Sequence, residues 1–175
     1  MPIVLGVPNM RGPAMKTVEI QPISAEGFVP FGDLIDCTGA PDKIINQGLC
    51  GRYHDRAQLA FTTGRAGLSL FNAEPRALPM PLLMVERHPE GSQAFIPMSE
   101  TGFLVIVAPD AGGAPGEPLA FETQPGQAIN FHRGTWHGVL TPLTAPGLFA
   151  VVDRIGDGAN LEEHWFDTPY QVIRP

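Results

Sequence analysis

The stretch PGQAINFHRGTWHGVL, from Pro125 to Leu140, places a tight turn, a short strand and two histidines in one small unit. Its opening Pro-Gly pair is typical of a type II turn, in which proline fixes the first central residue and glycine takes the second. The predicted strand ends at His132, and Gly134 permits a second tight turn before His137. The unit is therefore predicted to form half of a polar site inside a small β-barrel.

A second stretch, VERHPEGSQAFIPM from Val85 to Met98, supplies the other half. Glu86 and His88 fall on the same side of an alternating strand. The four residues that follow suit a hairpin loop, which would place Gln93 opposite His88. Directly opposed residues share a face, with Cβ atoms about 4.5–5.5 Å apart, so the three polar groups are predicted to converge. The alternative is a solvated face that carries ordinary surface residues.

Turn-forming residues are dense and spread along the whole chain, which has 175 residues with 20 glycines and 19 prolines. The apolar runs between them are short, and none keeps a helical period over three turns. This pattern predicts an all-β fold, a sandwich or barrel of many short strands with few short helices. No repeat or linker divides the chain, so residues 15–175 are expected to form one domain. Residues 1–14 are expected to be a disordered or non-native leader.

Particular elements can also be predicted. A first strand is expected at 17–20, followed by a short helix at 25–28 with Ser24 as its N-cap. The stronger strands are predicted at 68–73, 81–88, 93–98, 103–108, 119–122, 128–132 and 148–154. The tail from 161 to 175 is ambiguous, and it could pair at an edge or cross to a partner subunit.

The composition excludes several classes of function. Acidic residues outnumber basic residues, 18 to 11, and the resulting charge of −7 repels phosphate backbones. No apolar run approaches the roughly 20 residues that span a bilayer, and the N-terminus is too interrupted to be a secretory signal. Cys37 and Cys50 fit free thiols in a reduced compartment. We therefore expect a cytoplasmic protein that binds a small molecule and has neither nucleic acid nor membrane as a partner.

The two polar stretches resemble the paired motifs of cupins. Four residues follow the spacing of the second motif, namely Gly126, His132, Gly134 and His137. His132 stands where that motif has proline. The sequence Glu86-x-His88 followed by Gln93 resembles the first motif, which normally reads His-x-His followed by Glu.

Longer runs resemble the ureidoglycolate lyase family, and they cover nearly the whole chain from Met15. The most specific are INQGLCGRYHD, RALPMPLLMVERHPEGSQAFIPM, PGQAINFHRGTWH and VVDRIGDGANLEEH. This resemblance implies a cupin-like catalytic domain, an antiparallel, double-sheet β-barrel usually found as a homodimer. It also implies a carbon–nitrogen lyase of allantoin and purine catabolism, which splits ureidoglycolate into glyoxylate and urea.

The resemblance further implies a place for a metal ion. By position in the cupin motifs, the ligands would be Glu86, His88, Gln93 and His137. First-row divalent ions accept two imidazoles with a carboxylate and an amide oxygen, although the amide is the poorer oxygen ligand. The family resemblance implies nickel, and the alternative is a metal-free site in which the same groups bind the substrate directly.

Ureidoglycolate is a carbinolamide, and splitting it requires that its hydroxyl lose a proton and its urea nitrogen gain one. His88 or His137 is the expected base, or the ligand of an ion that acidifies the hydroxyl. Glu86 and His132 are the candidates for protonating urea.

The substrate carboxylate must also be held, and a guanidinium suits this through a bidentate contact. Arg52 or Arg133 is expected to provide it. Arg52 and His54 share one face of an alternating segment that could reach the barrel mouth, with a structural ion pair to a nearby aspartate as the alternative. Trp136 is expected to form a wall of the pocket.

Two rival functions remain open on the sequence. An amidohydrolase would attack the urea carbonyl and release ammonia, and a non-enzymatic cupin would only bind a small molecule. A His-rich iron dioxygenase or isomerase fits less well, because Glu86 and Gln93 replace residues that such a site would need.

Overall fold

The computed structural model describes residues 15–175, so the predicted leader lies outside the described residues. The regular secondary structure of this part of the chain is almost entirely β-strand, with one short α-helix, α1 (Ala25–Phe28), and a 3-10 turn at Asn46–Gly48. The strands are β1 (Lys16–Pro22), β2 (Gly32–Ile35), β3 (Lys43–Ile45), β4 (Cys50–Arg52), β5 (Arg65–Asn72), β6 (Met80–Arg87), β7 (Gln93–Pro97), β8 (Phe103–Ala108), β9 (Leu119–Glu122), β10 (Ala128–Phe131), β11 (Trp136–His137), β12 (Thr141–Pro142), β13 (Leu148–Ile155) and β14 (Glu162–Ile173). The predicted mostly-β fold is confirmed. Neither helical segment in this range has the length and apolar character needed to cross a membrane.

Six strands close into a barrel in the order β6, β14, β1, β9, β8 and β11, and β11 pairs with β6 again. Strand β1 runs parallel to both of its neighbours, β14 and β9. The barrel is therefore antiparallel as predicted except at this strand. Parallel neighbours need a long connection between them, and these neighbours are distant from β1 along the chain.

A five-stranded antiparallel sheet, ordered β2, β10, β7, β13 and β5, packs beside the barrel. Strand β8 joins the two layers, because all six residues of FLVIVA are buried. Its even-numbered residues pack in the core of the barrel, and its odd-numbered residues pack in a second core shared with the five-stranded sheet. A continuous apolar run is what a strand buried on both faces requires.

The predicted hairpin between β6 and β7 is wrong. Strand β6 pairs with β11 and β14 in the barrel, whereas β7 pairs with β10 and β13 in the five-stranded sheet. The five residues 88–92 therefore carry the chain from one layer to the other. The end of β6 and the start of β7 nevertheless border the same space, since Glu86 and Gln93 line one cavity.

The ambiguous tail forms β14, a strand of 12 residues that lies between β6 and β1 in the closed barrel. It is therefore neither an edge strand nor a segment that leaves the chain's own fold. Helix α1 begins as predicted, because the Ser24 hydroxyl accepts a hydrogen bond from the Gly27 amide at 3.1 Å.

Candidate active site

Strand β11 directs its two residues to opposite faces. Trp136 lies opposite Ala108 and packs in the core of the barrel. His137 lies opposite Val107, an odd-numbered residue of β8, and therefore faces the five-stranded sheet. Its imidazole is only 1 % exposed and stacks on Phe131, with centroids 4.2 Å apart and planes 7° apart. The position and tilt of this imidazole are thus fixed by packing.

Glu86 faces the same space as His137 because the alternation of side chains along β6 is interrupted. Met80 and Leu82 are buried in the barrel core, but the next residue of β6 in that core is Val85. The register between β6 and β14 shifts nearby, as it does at a β-bulge. Bulges re-aim side chains and are common beside functional sites. Glu86 therefore lies directly opposite His137 and points away from the barrel core.

Gln93 reaches this space from the five-stranded sheet. It lies opposite Phe131 of β10 and so shares the face on which His137 stacks. Its amide nitrogen lies 3.4 Å from Oδ2 of Asp153. Its Oε1 atom is buried and has no hydrogen-bond partner among the described residues. Gln93 therefore offers a free acceptor to the site.

His88 and His137 each present an unpaired Nε2 atom. Nδ1 of His88 lies 2.7 Å from the carbonyl oxygen of Asn160, and Nδ1 of His137 lies 3.0 Å from that of Gly138. A carbonyl only accepts, so Nδ1 carries the hydrogen and the neutral ring keeps its lone pair on Nε2. Both Nε2 atoms are buried, and residues 15–175 provide no partner for either.

Burial sets the protonation of the two inner groups. Desolvation lowers the pKa of His137 to about 3, outweighing its hydrogen bond to Gly138, and His88 adds a smaller repulsion in the same direction. His137 is therefore neutral at physiological pH. Desolvation raises the pKa of Glu86; His88 opposes this rise, and the nearby carboxylate of Glu163 adds to it. Glu86 is thus easier to protonate than an ordinary glutamate.

These residues fit a divalent metal ion. Glu86, His88 and His137 each offer one donor atom, and the three atoms lie within 4.8 Å of one another. Oε1 of Glu86 lies 4.0 Å from Nε2 of His88, and Gln93, whose Oε1 is unpaired, lines one cavity together with Glu86. Backbone carbonyls that fix the tautomer of a histidine are a regular feature around metal ligands. The mixture of imidazole and oxygen donors suits first-row divalent ions such as nickel.

Two adjoining cavities open beside Glu86. The larger, of about 610 Å³, is lined mainly by apolar residues of β6, together with Arg76, Glu86 and Glu163. The smaller, of about 410 Å³, is lined by Gln93 and by residues of β5 and the segment after β11. Arg76, Glu86 and Val139 line both cavities. A small organic substrate fits this space.

His132 does not join this cluster. It continues β10 on the face opposite to Phe131, where its Nε2 lies 3.1 Å from Oδ1 of Asp33. Asp33 is partly buried, which favours its neutral form, but hydrogen bonds from Asn130, from the Gln58 amide and from His132 outweigh this and lower its pKa. The structure therefore places His132 in a hydrogen-bond network on the outer face of the five-stranded sheet, and the expectation that it protonates urea has no support from this placement.

The other predicted pocket residues are also separated from the cluster. Arg52 and His54 lie in the exposed segment around β4, where Nη2 of Arg52 lies 2.8 Å from Nδ1 of His54, and they do not line the cavities beside Glu86. Arg133 lines a different cavity of about 310 Å³ together with Trp136. The predicted substrate contacts of these four residues are therefore not found at the cluster.

Four residues of the site were not predicted from the sequence, namely Arg76, Asp153, Asn160 and Glu163. The alternation of β13 could have indicated Asp153, because Phe149 and Val151 are buried on the same side of that strand. The positions of the other three depend on contacts that are distant in sequence. Arg76, for example, is held by a hydrogen bond of 2.9 Å from its amide to the Pro142 carbonyl, and no local pattern predicts this bond.

The fold and site together define a mostly-β barrel protein with a buried histidine–carboxylate cluster beside a small-molecule cavity. The family model described as ureidoglycolate lyase matches residues 15–173. The chain belongs to the ureidoglycolate lyase family.

Several curated relatives are similar to this chain over almost their whole length. It is 57 % identical to the ureidoglycolate lyase of Rhodobacter capsulatus over 159 residues, which are 90 % of this chain and 99 % of the relative. It is 53 % identical to ureidoglycolate lyase 2 of Rhizobium meliloti, over 90 % of this chain and 98 % of the relative. It is 50 % identical to the ureidoglycolate lyase of Mesorhizobium japonicum, over 92 % of this chain and 100 % of the relative.

Proposed function

We propose that this protein splits ureidoglycolate into glyoxylate and urea at the cluster formed by Glu86, His88 and His137. Membership of the ureidoglycolate lyase family supports the reaction. The observation that supports the location is the convergence of a carboxylate of raised pKa with two buried, unpaired imidazole nitrogens beside a cavity of suitable size.

The reaction moves one proton off the hydroxyl and one proton onto the departing nitrogen. Glu86 suits both transfers, because it lines both cavities and burial raises its pKa above that of an ordinary glutamate. In this proposal its carboxylate takes the hydroxyl proton as the carbonyl of glyoxylate forms. The same group then delivers the proton to the urea nitrogen. A positioned acid–base group of this kind contributes about 10²–10⁴-fold to a rate.

His88 and His137 adjoin Glu86, although neither lines the two cavities. In this proposal their unpaired Nε2 lone pairs accept hydrogen bonds from the N–H groups of the substrate, which leaves the hydroxyl hydrogen to Glu86; alternatively, they would bind a divalent ion together with Glu86 and Gln93. Such an ion, when bound, would act as a Lewis acid that makes the hydroxyl more acidic. The stacking of Phe131 on His137 excludes water from one side of the imidazole.

The remaining expectations are part of the same proposal. Residues 15–175 would form the catalytic domain of a cytoplasmic homodimer that acts in allantoin breakdown. Family resemblance supports the dimer and the pathway. The two cysteines, Cys37 and Cys50, are free, which suits a reducing compartment.

Product analysis tests this function. The protein is incubated with freshly prepared ureidoglycolate, and glyoxylate, urea and ammonia are followed against the spontaneous rate. We expect glyoxylate and urea in equal amounts. Ammonia in place of urea would indicate an amidohydrolase, and saturable binding without turnover would indicate a non-enzymatic binding protein; either result would contradict the proposal.

A further inference from the structure

We infer that Arg76 binds the carboxylate of the substrate and thereby selects carbinolamides that carry an acid group. This inference deepens the proposed function and rests on it. It replaces the arginines that the sequence suggested, Arg52 and Arg133, neither of which lines the cavities beside the cluster.

Most arginines of the described chain already have partners. The guanidinium groups with a hydrogen bond or ion pair are those of Arg52, Arg56, Arg65, Arg87, Arg154 and Arg174. Only Arg76 and Arg133 have none within residues 15–175. A guanidinium held without a partner is available for a ligand, since it offers five N–H donors in a planar fork that matches a carboxylate.

The two arginines without a partner differ in the cavities that they line. Arg76 lines both cavities that border Glu86, whereas the cavity lined by Arg133 includes no member of the cluster. The backbone of Arg76 is also anchored, because its amide donates to the Pro142 carbonyl at 2.9 Å. The backbone of Arg76 is thus fixed at the wall that the two cavities share, and its exposed side chain is open to a ligand.

Because the walls of the cavities carry two glutamates, an anionic substrate needs a cation beside it. Among the described residues that line either cavity, Arg76 is the sole cation, and the other charged side chains are Glu86 and Glu163. An anionic substrate would be repelled by these two glutamates unless a cation stood beside them. In ureidoglycolate the carboxylate is attached directly to the carbon that bears the hydroxyl and the urea nitrogen. Its anchor must therefore share a wall with Glu86, as Arg76 does.

Kinetics of Arg76→Ala, Arg76→Lys and Arg133→Ala test the inference, with Arg65→Ala as the matched control. Arg65 lies on β5 and hydrogen-bonds only the neighbouring Ala66 carbonyl. We expect Arg76→Ala to raise KM for ureidoglycolate about 30-fold or more, while kcat changes less than about threefold, because the carboxylate contact is made equally in the ground and transition states. Arg76→Lys should recover part of the loss. Arg65→Ala should behave like the wild type.

The neutral carbinolamide N-(hydroxymethyl)urea provides a second readout, since it has no carboxylate to lose. Its kcat/KM should be unaffected by Arg76→Ala, within about twofold. An unchanged KM for ureidoglycolate in Arg76→Ala, or a larger rise in Arg133→Ala, would overturn the inference and leave the lyase function standing.

Calorimetric binding of oxamate, a small amide with a carboxylate, separates failure of the inference from failure of the proposed function. If the wild type releases no urea, the proposed function fails. Loss of oxamate binding in Arg76→Ala but not in Arg65→Ala would even then support Arg76 as the carboxylate anchor, whereas equal binding by both variants would overturn it.

Discussion

At the scale of single residues, the unpaired Nε2 atoms of His88 and His137 decide which chemistry the site can perform. The Asn160 and Gly138 carbonyls take the Nδ1 hydrogens of His88 and His137, so both Nε2 lone pairs remain available. Periodicity could predict that Glu86 and His88 share a face, because side chains alternate over so short a distance. It could not predict the carbonyl partner of His88, since Asn160 is remote in sequence.

Removing either imidazole should therefore stop the reaction without unfolding the chain. We expect His88→Ala and His137→Ala each to lower kcat at least about 100-fold. His132→Ala removes the other histidine of the same motif, and it should change kcat less than about threefold because that ring faces Asp33. Initial rates of urea release, with circular dichroism to verify folding, provide the measurement. A large loss in His132→Ala with none in the other two would reverse the assignment.

The buried imidazole of His137 should also make stability depend on pH. The pKa of this ring is about 3 in the folded chain and about 6.5 when it is unfolded. Between these values the unfolded state binds more protons, so the free energy of unfolding falls as the pH is lowered, by up to about 1.4 kcal/mol per pH unit. His137→Asn should flatten this dependence in urea denaturation between about pH 6 and pH 4.5. An identical slope in both proteins would contradict the assignment of a neutral, buried His137.

At the scale of elements, the strands were predictable but their partners were not. The predicted 93–98 and 103–108 lie close to the observed β7 and β8, because alternation and continuous apolar runs are local signals. The predicted hairpin between β6 and β7 does not form, because both strands pair instead with strands that are distant in sequence. The register shift between β6 and β14, close to the point where β6 directs Glu86 away from the barrel core, likewise depends on pairing with a strand distant in sequence, which no local pattern shows.

Close packing between β2 and β10 makes Gly32 a sensitive position. A Cβ atom there would collide with the Asn130 carbonyl and the Phe28 ring. We expect Gly32→Ala to lower the free energy of unfolding by about 3 kcal/mol or more. Gly39→Ala, where a Cβ meets nothing within 4 Å but the φ of +85° is unfavourable, should cost about 1 kcal/mol. Chemical denaturation of both variants checks the order, and equal losses would contradict it.

At the scale of the whole molecule, the site lies where two layers meet. Strand β8 contributes to both hydrophobic cores, and the cluster occupies the polar end of the second core, between the barrel and the five-stranded sheet. The sequence resemblance predicted the barrel and the pairing of two distant motifs. It could not predict that Arg52 and Arg133 lie elsewhere, because side-chain positions around a cavity depend on how the layers pack.

A metal ion at this junction would tie the two layers together. If nickel binds Glu86, His88, Gln93 and His137, adding it to metal-stripped protein should stabilise the fold by about 3 kcal/mol at 100 times its dissociation constant. This corresponds to a rise in Tm of roughly 5–10 °C for a domain of this size. The double variant His88→Ala/His137→Ala should show no rise. Equal shifts in both proteins would place the ion elsewhere, and no shift in the wild type would favour direct contact between these side chains and the substrate.

The most direct test of the account compares urea release from fresh ureidoglycolate by the wild type and by Glu86→Gln. The glutamine keeps the shape of the side chain but cannot exchange a proton. We predict that the wild type forms urea and glyoxylate in equal amounts above the spontaneous rate, and that Glu86→Gln is at least about 100-fold slower while retaining the same fold. Full activity in Glu86→Gln would contradict the claim that the bond is broken at this cluster.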